Sequence, residues 1–237
     1  MTESQKAGVV VVLSGGMDST VCAALAVRDY GATATAALHV SYGQRTEARE
    51  QAAFHAICDR LQIRRRLNFR TPFFRSIGGS ALTDDTIAVP EAGEDIGAHI
   101  PVTYVPFRNA HFLAAAVSWA EVLGAERIYI GAVQQDSSGY PDCRPEFYRA
   151  YNQAIRTGTK AGVVRIETPV IALRKSQIVT LGLELGAPFD LTWSCYSRED
   201  QACGNCESCK LRQRAFEAAG VPDPVSYSSE SALQDQI

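Results

Sequence analysis

No apolar stretch in this 237-residue chain approaches the run of about 18 residues that crosses a bilayer. The polar opening Met-Thr-Glu-Ser-Gln-Lys leads into Val9 to Leu13, too short for the core of a signal peptide. A cytoplasmic protein is expected. Positive charge is not in excess: the formal net charge is -3, so nothing in the composition attracts nucleic acid in general. The seven cysteines are an odd number, which does not suit a disulfide framework. Internal repeats and low-complexity tracts are missing, and so is a glutaminase nucleophile motif. Two nucleotide-binding signatures are also absent. A Walker A loop needs four residues between its glycines and then Gly-Lys before Ser or Thr, and a dinucleotide fingerprint needs G-x-G-x-x-G. His39, His55, His99 and His111 are scattered, three of them in strand or helix patterns, and read as structural side chains rather than as an obligatory base.

What is present begins at the first strand. Gly8-Val9-Val10-Val11-Val12 opens into Leu13-Ser14-Gly15-Gly16-Met17-Asp18-Ser19-Thr20, and a helix from Asp18 to Asp29 follows. A buried strand, a glycine turn and a helix N-terminus together hold a phosphate. Gly15 and Gly16 let the backbone come close, and the helix offers unpaired N–H groups at its positive end. Ser14, Ser19 and Thr20 add hydroxyls. Asp18 serves either Mg²⁺, or the orientation of the loop, or the cap of its helix. The string S-G-G-x-D-S-T resembles the pyrophosphate loop of the N-type ATP pyrophosphatases, and that resemblance implies a leaving pyrophosphate and transfer of AMP to a substrate oxygen.

Apolar residues at 46% and charged residues at 21% are ordinary globular values. The length suits one α/β domain over residues 1–190 and a small segment, 191–237, packed on it. Strands alternate with amphipathic helices, the pattern of an open parallel sheet with helices on both faces. Strands are expected at 8–13, Ala34–Val40, Arg64–Phe69, Arg127–Val133 and Val163–Glu167. Helices are expected near Thr46–Leu61, Asn109–Leu123, Glu146–Arg156 and Lys175–Leu185. Between Thr71 and Ile100 the periodicity disappears; a loop of that length in a compact domain is usually a lid or a binding loop.

Ligands of such sheets bind outside the carboxyl ends of the strands. The loops there carry Arg45, Arg108, Arg144, Arg174 and Lys175, a local cationic density of the kind a nucleotide needs. Near the C-terminus, Cys195, Cys203, Cys206 and Cys209 form a knuckle with two C-x2-C steps. Four thiolates without histidine read as a closed, structural zinc site, and an iron–sulfur cluster takes the same ligands. Cys22 and Cys58 read as small buried apolar residues, while Cys143 sits in a polar loop after a strand and is a candidate to line the pocket.

Several motifs then resemble one family over nearly the whole chain, the 7-cyano-7-deazaguanine synthases of queuosine biosynthesis. They are the loop Ser14 to Thr20, Tyr42-Gly43-Gln44-Arg45, Ser138-Gly139-Tyr140-Pro141-Asp142-Cys143-Arg144, and Cys195-Tyr196 with Cys203-Gly204-x-Cys206-x-x-Cys209. Phe107 departs from the pattern, since the family often has a small residue there, and the motif alone does not decide whether its larger ring reshapes the pocket. The resemblance implies a fold like that of the adenine nucleotide alpha hydrolases with a zinc knuckle, and a ligase that forms carbon–nitrogen bonds. Its substrates would be 7-carboxy-7-deazaguanine, ammonia and Mg-ATP, and its assembly a homodimer. Leu13 to Val21 would hold ATP, with Asp18, Arg108 and Lys175 catalytic. Tyr42, Gln44, Arg45, Asp136, Tyr140, Asp142, Cys143 and Arg144 would hold the substrate. Two other readings of the same residues are an enzyme that thiolates tRNA and a nucleotide-binding module without catalysis.

Overall fold

The structure is a computed structural model and describes residues 6–93, 99–134 and 139–228. Five strands, β1 (Val9–Val12), β2 (Thr35–Ser41), β3 (Arg65–Arg70), β4 (Arg127–Ile130) and β5 (Arg165–Glu167), form one sheet in the order β3-β2-β1-β4-β5. Every pairing is parallel. The central strand β1 is wholly buried, and alternation sends its residues to two cores. Val9, Val11 and Leu13 join one core, Val10 and Val12 the other. The edge strand β3 spends its surface on arginines instead: Arg65, Arg66 and Arg70 blunt the open edge against pairing with another chain.

The first core is covered by α1 (Met17–Tyr30), α2 (Glu47–Arg60), α6 (Lys175–Glu184) and α7 (Glu207–Ala218), which supply Val21, Phe54, Ile178 and Phe216. The second core is covered by α4 (Arg108–Leu123) and α5 (Pro145–Gly158), with Leu113, Ala116 and Ile155. Among the described residues no helix is long and apolar enough to cross a membrane.

The open parallel sheet with helices on both faces is as expected, with three differences at its elements. The strand expected over Arg127–Val133 stops at Ile130, because Gly131 turns the chain against α1. The stretch Thr71 to Ile100 is not structureless: α3 (Phe73–Ile77) buries Phe74 in the second core. Downstream, the knuckle continues into α7, whose Cys209, Ala215 and Phe216 are buried. The cysteine segment therefore shares the core of the sheet domain, with Cys195, Ala202, Cys206 and Phe216 packed alongside Val21 and Leu25.

β1 lies between β2 and β4, and the chain leaves it in opposite directions along the sheet, which opens a crevice at the carboxyl ends of β1 and β4. Gly131 lies at that point. A Cβ there would stand 2.6 Å from the Ser19 amide nitrogen and 2.8 Å from the Asp18 carbonyl carbon, both rigid backbone of the first turn of α1. Gly131→Ala is expected to cost about 1–3 kcal/mol by overpacking and to lower the melting temperature by several degrees. Gly158→Ala, where nothing lies within 4 Å of the added carbon, is expected to leave it level or slightly raised. Thermal denaturation of both variants checks the pair.

Candidate functional site

The crevice opens into a cavity of about 250 Å³, and the loop after β1 forms one wall. Gly15 takes a φ of +92°, and a Cβ on it would meet the Glu50 carbonyl oxygen at 2.8 Å, so only glycine lets α2 press on the loop. The Gly15 carbonyl accepts a bond of 2.9 Å from the Trp193 N–H. The Ser19 and Thr20 hydroxyls both donate to the Gly16 carbonyl, at 3.0 and 2.8 Å, and Ser14 Oγ lies 3.0 Å from Ser19 Oγ. These bonds hold the loop open, while the first N–H groups of α1 are those a helix leaves for an anion. Leu13, Ser14, Gly16, Met17, Asp18 and Ser19 all line the cavity. Gly15, Thr20 and Val21 do not; Gly15 is buried under α2, and Thr20 and Val21 are fully buried behind the loop.

Two cations stand opposite. Lys175, the first residue of α6, forms an ion pair with the Asp18 carboxylate. The other oxygen of Asp18 is buried with no hydrogen-bond partner among the described residues, an orphan acceptor that suits a hard cation such as Mg²⁺. Arg108, the first residue of α4, packs over the rings of Tyr42 and Phe112 at 5.4 and 5.5 Å and donates to Tyr42 Oη at 3.1 Å. Its Nε is buried without a partner. Burial opposes the charge, but the neighbouring Tyr42, Tyr140, Asp142 and Cys143 outweigh it and hold the guanidinium above its ordinary value. The helix start that positions Arg108 depends on Phe107, which adopts a left-handed φ of +56°. Phe107 does not line the cavity. Its ring is exposed against His111 and Phe147, outside the cavity wall.

The expected substrate residues separate into two groups. Tyr42, Tyr140 and Cys143 line the cavity, with Tyr140 Oη 3.0 Å from Thr103 Oγ1. Burial pushes the Cys143 thiol up to about 11, which favours the protonated thiol at neutral pH. Gln44, Arg45, Asp142 and Arg144 are not in the cavity wall, and local bonds explain why. Gln44 accepts from the Tyr42 N–H at 2.8 Å and shapes its own turn. Arg45 donates to the carbonyls of Ala81, Asp84 and Ile87 at 2.6, 3.0 and 2.7 Å, which pins the segment after α3. Asp142 is buried and accepts from the Asn109 N–H at 2.9 Å, so it anchors the start of α4. Arg144 is exposed at the start of α5. Asp136 lies outside the described residues.

The remaining wall was not foreseen. Trp193, Ser194, Tyr196, Ser208 and Arg212 reach the cavity from the C-terminal segment, and Glu50 from α2. Tyr196 and Ser208 sit inside the cysteine motifs but read there only as neighbours of metal ligands, and no local motif marks Trp193, Ser194 or Arg212. Glu50 carried a faint signal, since it stands within two turns of Tyr42-Gly43-Gln44-Arg45 on the helix that leaves that loop.

The four cysteines converge as their spacing predicts. Their sulfurs lie within 4.8 Å of one another, and Cys203 Sγ is 3.9 Å from Cys209 Sγ. Metal–sulfur bonds of about 2.3 Å at the tetrahedral angle set sulfurs about 3.8 Å apart, so the group fits a metal ion. Backbone N–H groups of Ser197 and Cys203 approach Cys195 Sγ at 3.4 Å, and that of Cys206 approaches Cys203 Sγ at 3.3 Å, which favours thiolates. Two further contacts lock the segment. Glu91 bridges to Cys206, so the excursion pinned by Arg45 reaches the knuckle. Arg212 forms a two-bond pair with Asp223, both at 2.8 Å, and also donates to Thr192 Oγ1 and the Phe189 carbonyl.

Residues 8–220 match the family described as queuosine biosynthesis protein QueC. The chain belongs to this family. A relative from Koribacter versatilis named 7-cyano-7-deazaguanine synthase is 74% identical over 95% of this chain and 95% of its own length. A second with that name, from Acidobacterium capsulatum, is 64% identical over 92% of this chain and 96% of its own. Among solved structures, the NMN synthetase from Francisella tularensis is 19% identical, with a TM-score of 0.47, over 97% of this chain and 82% of that one. The family's span includes the loop after β1 and all four cysteines.

Because Arg212 is 3% exposed and its partner 9%, Arg212→Met strands a buried carboxylate and is expected to cost about 3–5 kcal/mol. Urea denaturation of the two proteins measures the loss, and a change under 1 kcal/mol contradicts the assignment.

Proposed function

We propose that this chain is a 7-cyano-7-deazaguanine synthase, a ligase of the carbon–nitrogen-forming 6.3.4 type. It would convert 7-carboxy-7-deazaguanine, ammonia and Mg-ATP to the nitrile, AMP and pyrophosphate. The observation that carries the reading is the Ser14–Thr20 loop at the β1/β4 crevice, in a chain 74% identical to a protein of that name. Catalysis is assigned to Asp18, Arg108 and Lys175. The loop holds the departing pyrophosphate, Asp18 offers its orphan oxygen to the Mg²⁺ of Mg-ATP, and Lys175 and Arg108 oppose the charge that develops on phosphate.

The chemistry follows from the leaving groups. A carboxylate does not release oxide to ammonia, so its oxygen first attacks the α-phosphorus of ATP and expels pyrophosphate. Ammonia then adds at the acyl carbon and AMP leaves, giving an amide. Repeating the first step on the amide oxygen makes that oxygen a leaving group too, and loss of AMP with the protons on nitrogen gives the nitrile. One cavity therefore works twice per product. Tyr140 and Cys143 stand where the base would be recognised, and Asp136 is kept as a candidate acceptor for the ring N–H and exocyclic amine.

Zinc is the metal assigned to the knuckle: four sulfurs drawn within 4.8 Å close around a single ion, whereas a cubane spreads its thiolates over separate irons. It would hold the C-terminal segment and take no part in the reaction. A cytoplasmic homodimer supplied with free ammonium completes the proposal.

The purified protein, given ATP, Mg²⁺, ammonium and the deazaguanine acid, is expected to yield nitrile and two equivalents of AMP and pyrophosphate by mass spectrometry. ADP and phosphate as products would reject attack at the α-phosphorus, and turnover only with tRNA and a sulfur donor would reject the substrate. Lys175→Ala is expected to lower kcat by about 10²–10³ with the fold intact by circular dichroism. Elemental analysis should find one zinc per chain, with no iron.

A further inference from the structure

The amide that enters the second half of the proposed reaction carries two hydrogens on nitrogen and the nitrile carries none. Both leave as protons, while the electrons of the C–O bond depart with AMP, so a base beside the nitrogen is required. No histidine lines the cavity among the described residues, and the only carboxylates that do are Asp18 and Glu50. Asp18 is committed to Lys175. The tyrosines and the thiol are protonated at neutral pH: burial pushes Tyr42 up to about 12, Tyr140 and Tyr196 above their ordinary values, and Cys143 to about 11.

Glu50 is held differently. Thr46 Oγ1 donates to one oxygen at 2.8 Å and Gln44 Nε2 to the other at 3.0 Å, and it forms no ion pair among the described residues. These bonds fix the carboxylate while leaving each oxygen a further lone pair. Its backbone presses on Gly15 of the phosphate loop, and the same Gln44 braces Tyr42, which contacts Arg108. Glu50 thus lines the cavity between the phosphate loop and the Tyr42–Arg108 pair.

We infer that Glu50 is the general base that takes the protons from the substrate nitrogen as the adenylated amide becomes the nitrile, a role that rests on the synthase reading. One proton passes to the carboxylate and on to solvent; the second follows as the C–O bond breaks. No oxidant or reductant enters. Burial raises the Glu50 carboxyl to about 7, against the pull of Thr46, Gln44 and Arg108 and with a push from Glu47. Below that pH the carboxyl is protonated and cannot accept.

The test feeds the amide with ATP and Mg²⁺, which removes ammonium from the pH profile. For the wild-type chain, kcat for nitrile is expected to fall as the pH drops through about 7. Glu50→Gln should lower nitrile formation by about 10²-fold or more, keep the ATP KM within threefold, and abolish that limb. Isotope scrambling in ATP, which reports adenylation, should persist. Glu50→Asp, which withdraws the carboxylate by one methylene, should retain the limb at roughly a tenth of the rate or less, and it serves if the glutamine variant fails to fold. A folded Glu50→Gln chain that makes nitrile within threefold of wild type overturns the inference, as does one that loses scrambling and nitrile equally. A wild-type chain that makes no nitrile from either acid or amide overturns the synthase reading itself and this role with it.

Discussion

The contact between the first turn of α1 and the glycine that ends β4 governs the rest of the site. Two backbones approach so closely there that a methyl on Gly131 would stand 2.6 Å from the Ser19 nitrogen. Neighbouring parallel strands fix the separation of their own ends, so a helix entering between β1 and β4 has no other place to put its N-terminus. The positive end of α1 is thereby aimed at the crevice. Once that is set, Ser14, Ser19 and Thr20 have little freedom, and their hydroxyls settle onto one another and onto the Gly16 carbonyl.

The sheet alone does not close the cavity. Trp193 returns from the far end of the chain to bond the Gly15 carbonyl, and Arg49 stacks over its indole at 4.6 Å. Behind it, the four sulfurs and the Arg212–Asp223 pair hold a segment with too few apolar residues to form a separate core. The excursion after β3 is drawn into the same arrangement, since Arg45 satisfies three of its carbonyls and its far end bridges to Cys206. Backbone oxygens that lack a sheet or helix need such a donor, and Arg45 supplies it to this segment.

Local patterns carried the strand order's raw material and the phosphate loop well. Val9 to Leu13 followed by two glycines is recognisable because strand, turn and helix are contiguous, and the cysteine spacing is recognisable for the same reason. The residues expected to hold substrate were harder. Asp142 and Arg144 share a short polar string with Tyr140 and Cys143, yet a bend at Pro141–Cys143 sends the Asp142 carboxylate to the helix start at Asn109 and leaves Arg144 in solvent. Side chains one apart in sequence thus face different environments, and nothing local says which. The helices at Phe73–Ile77 and Glu207–Ala218 were missed because burial comes from distant partners, not from their own periodicity.

By itself the sequence determined a parallel α/β sheet, a glycine loop at the head of its first helix and a four-cysteine knuckle, since each rests on residues close together in the chain. Only the tertiary structure decided which charged groups meet at the crevice. Asp18 and Lys175 are 157 residues apart, and Glu50 gains its distinctive environment from burial between loops that no short window contains. Electrostatic character of this kind depends on what is excluded from around a group as much as on the group itself, and exclusion is a property of the packed fold.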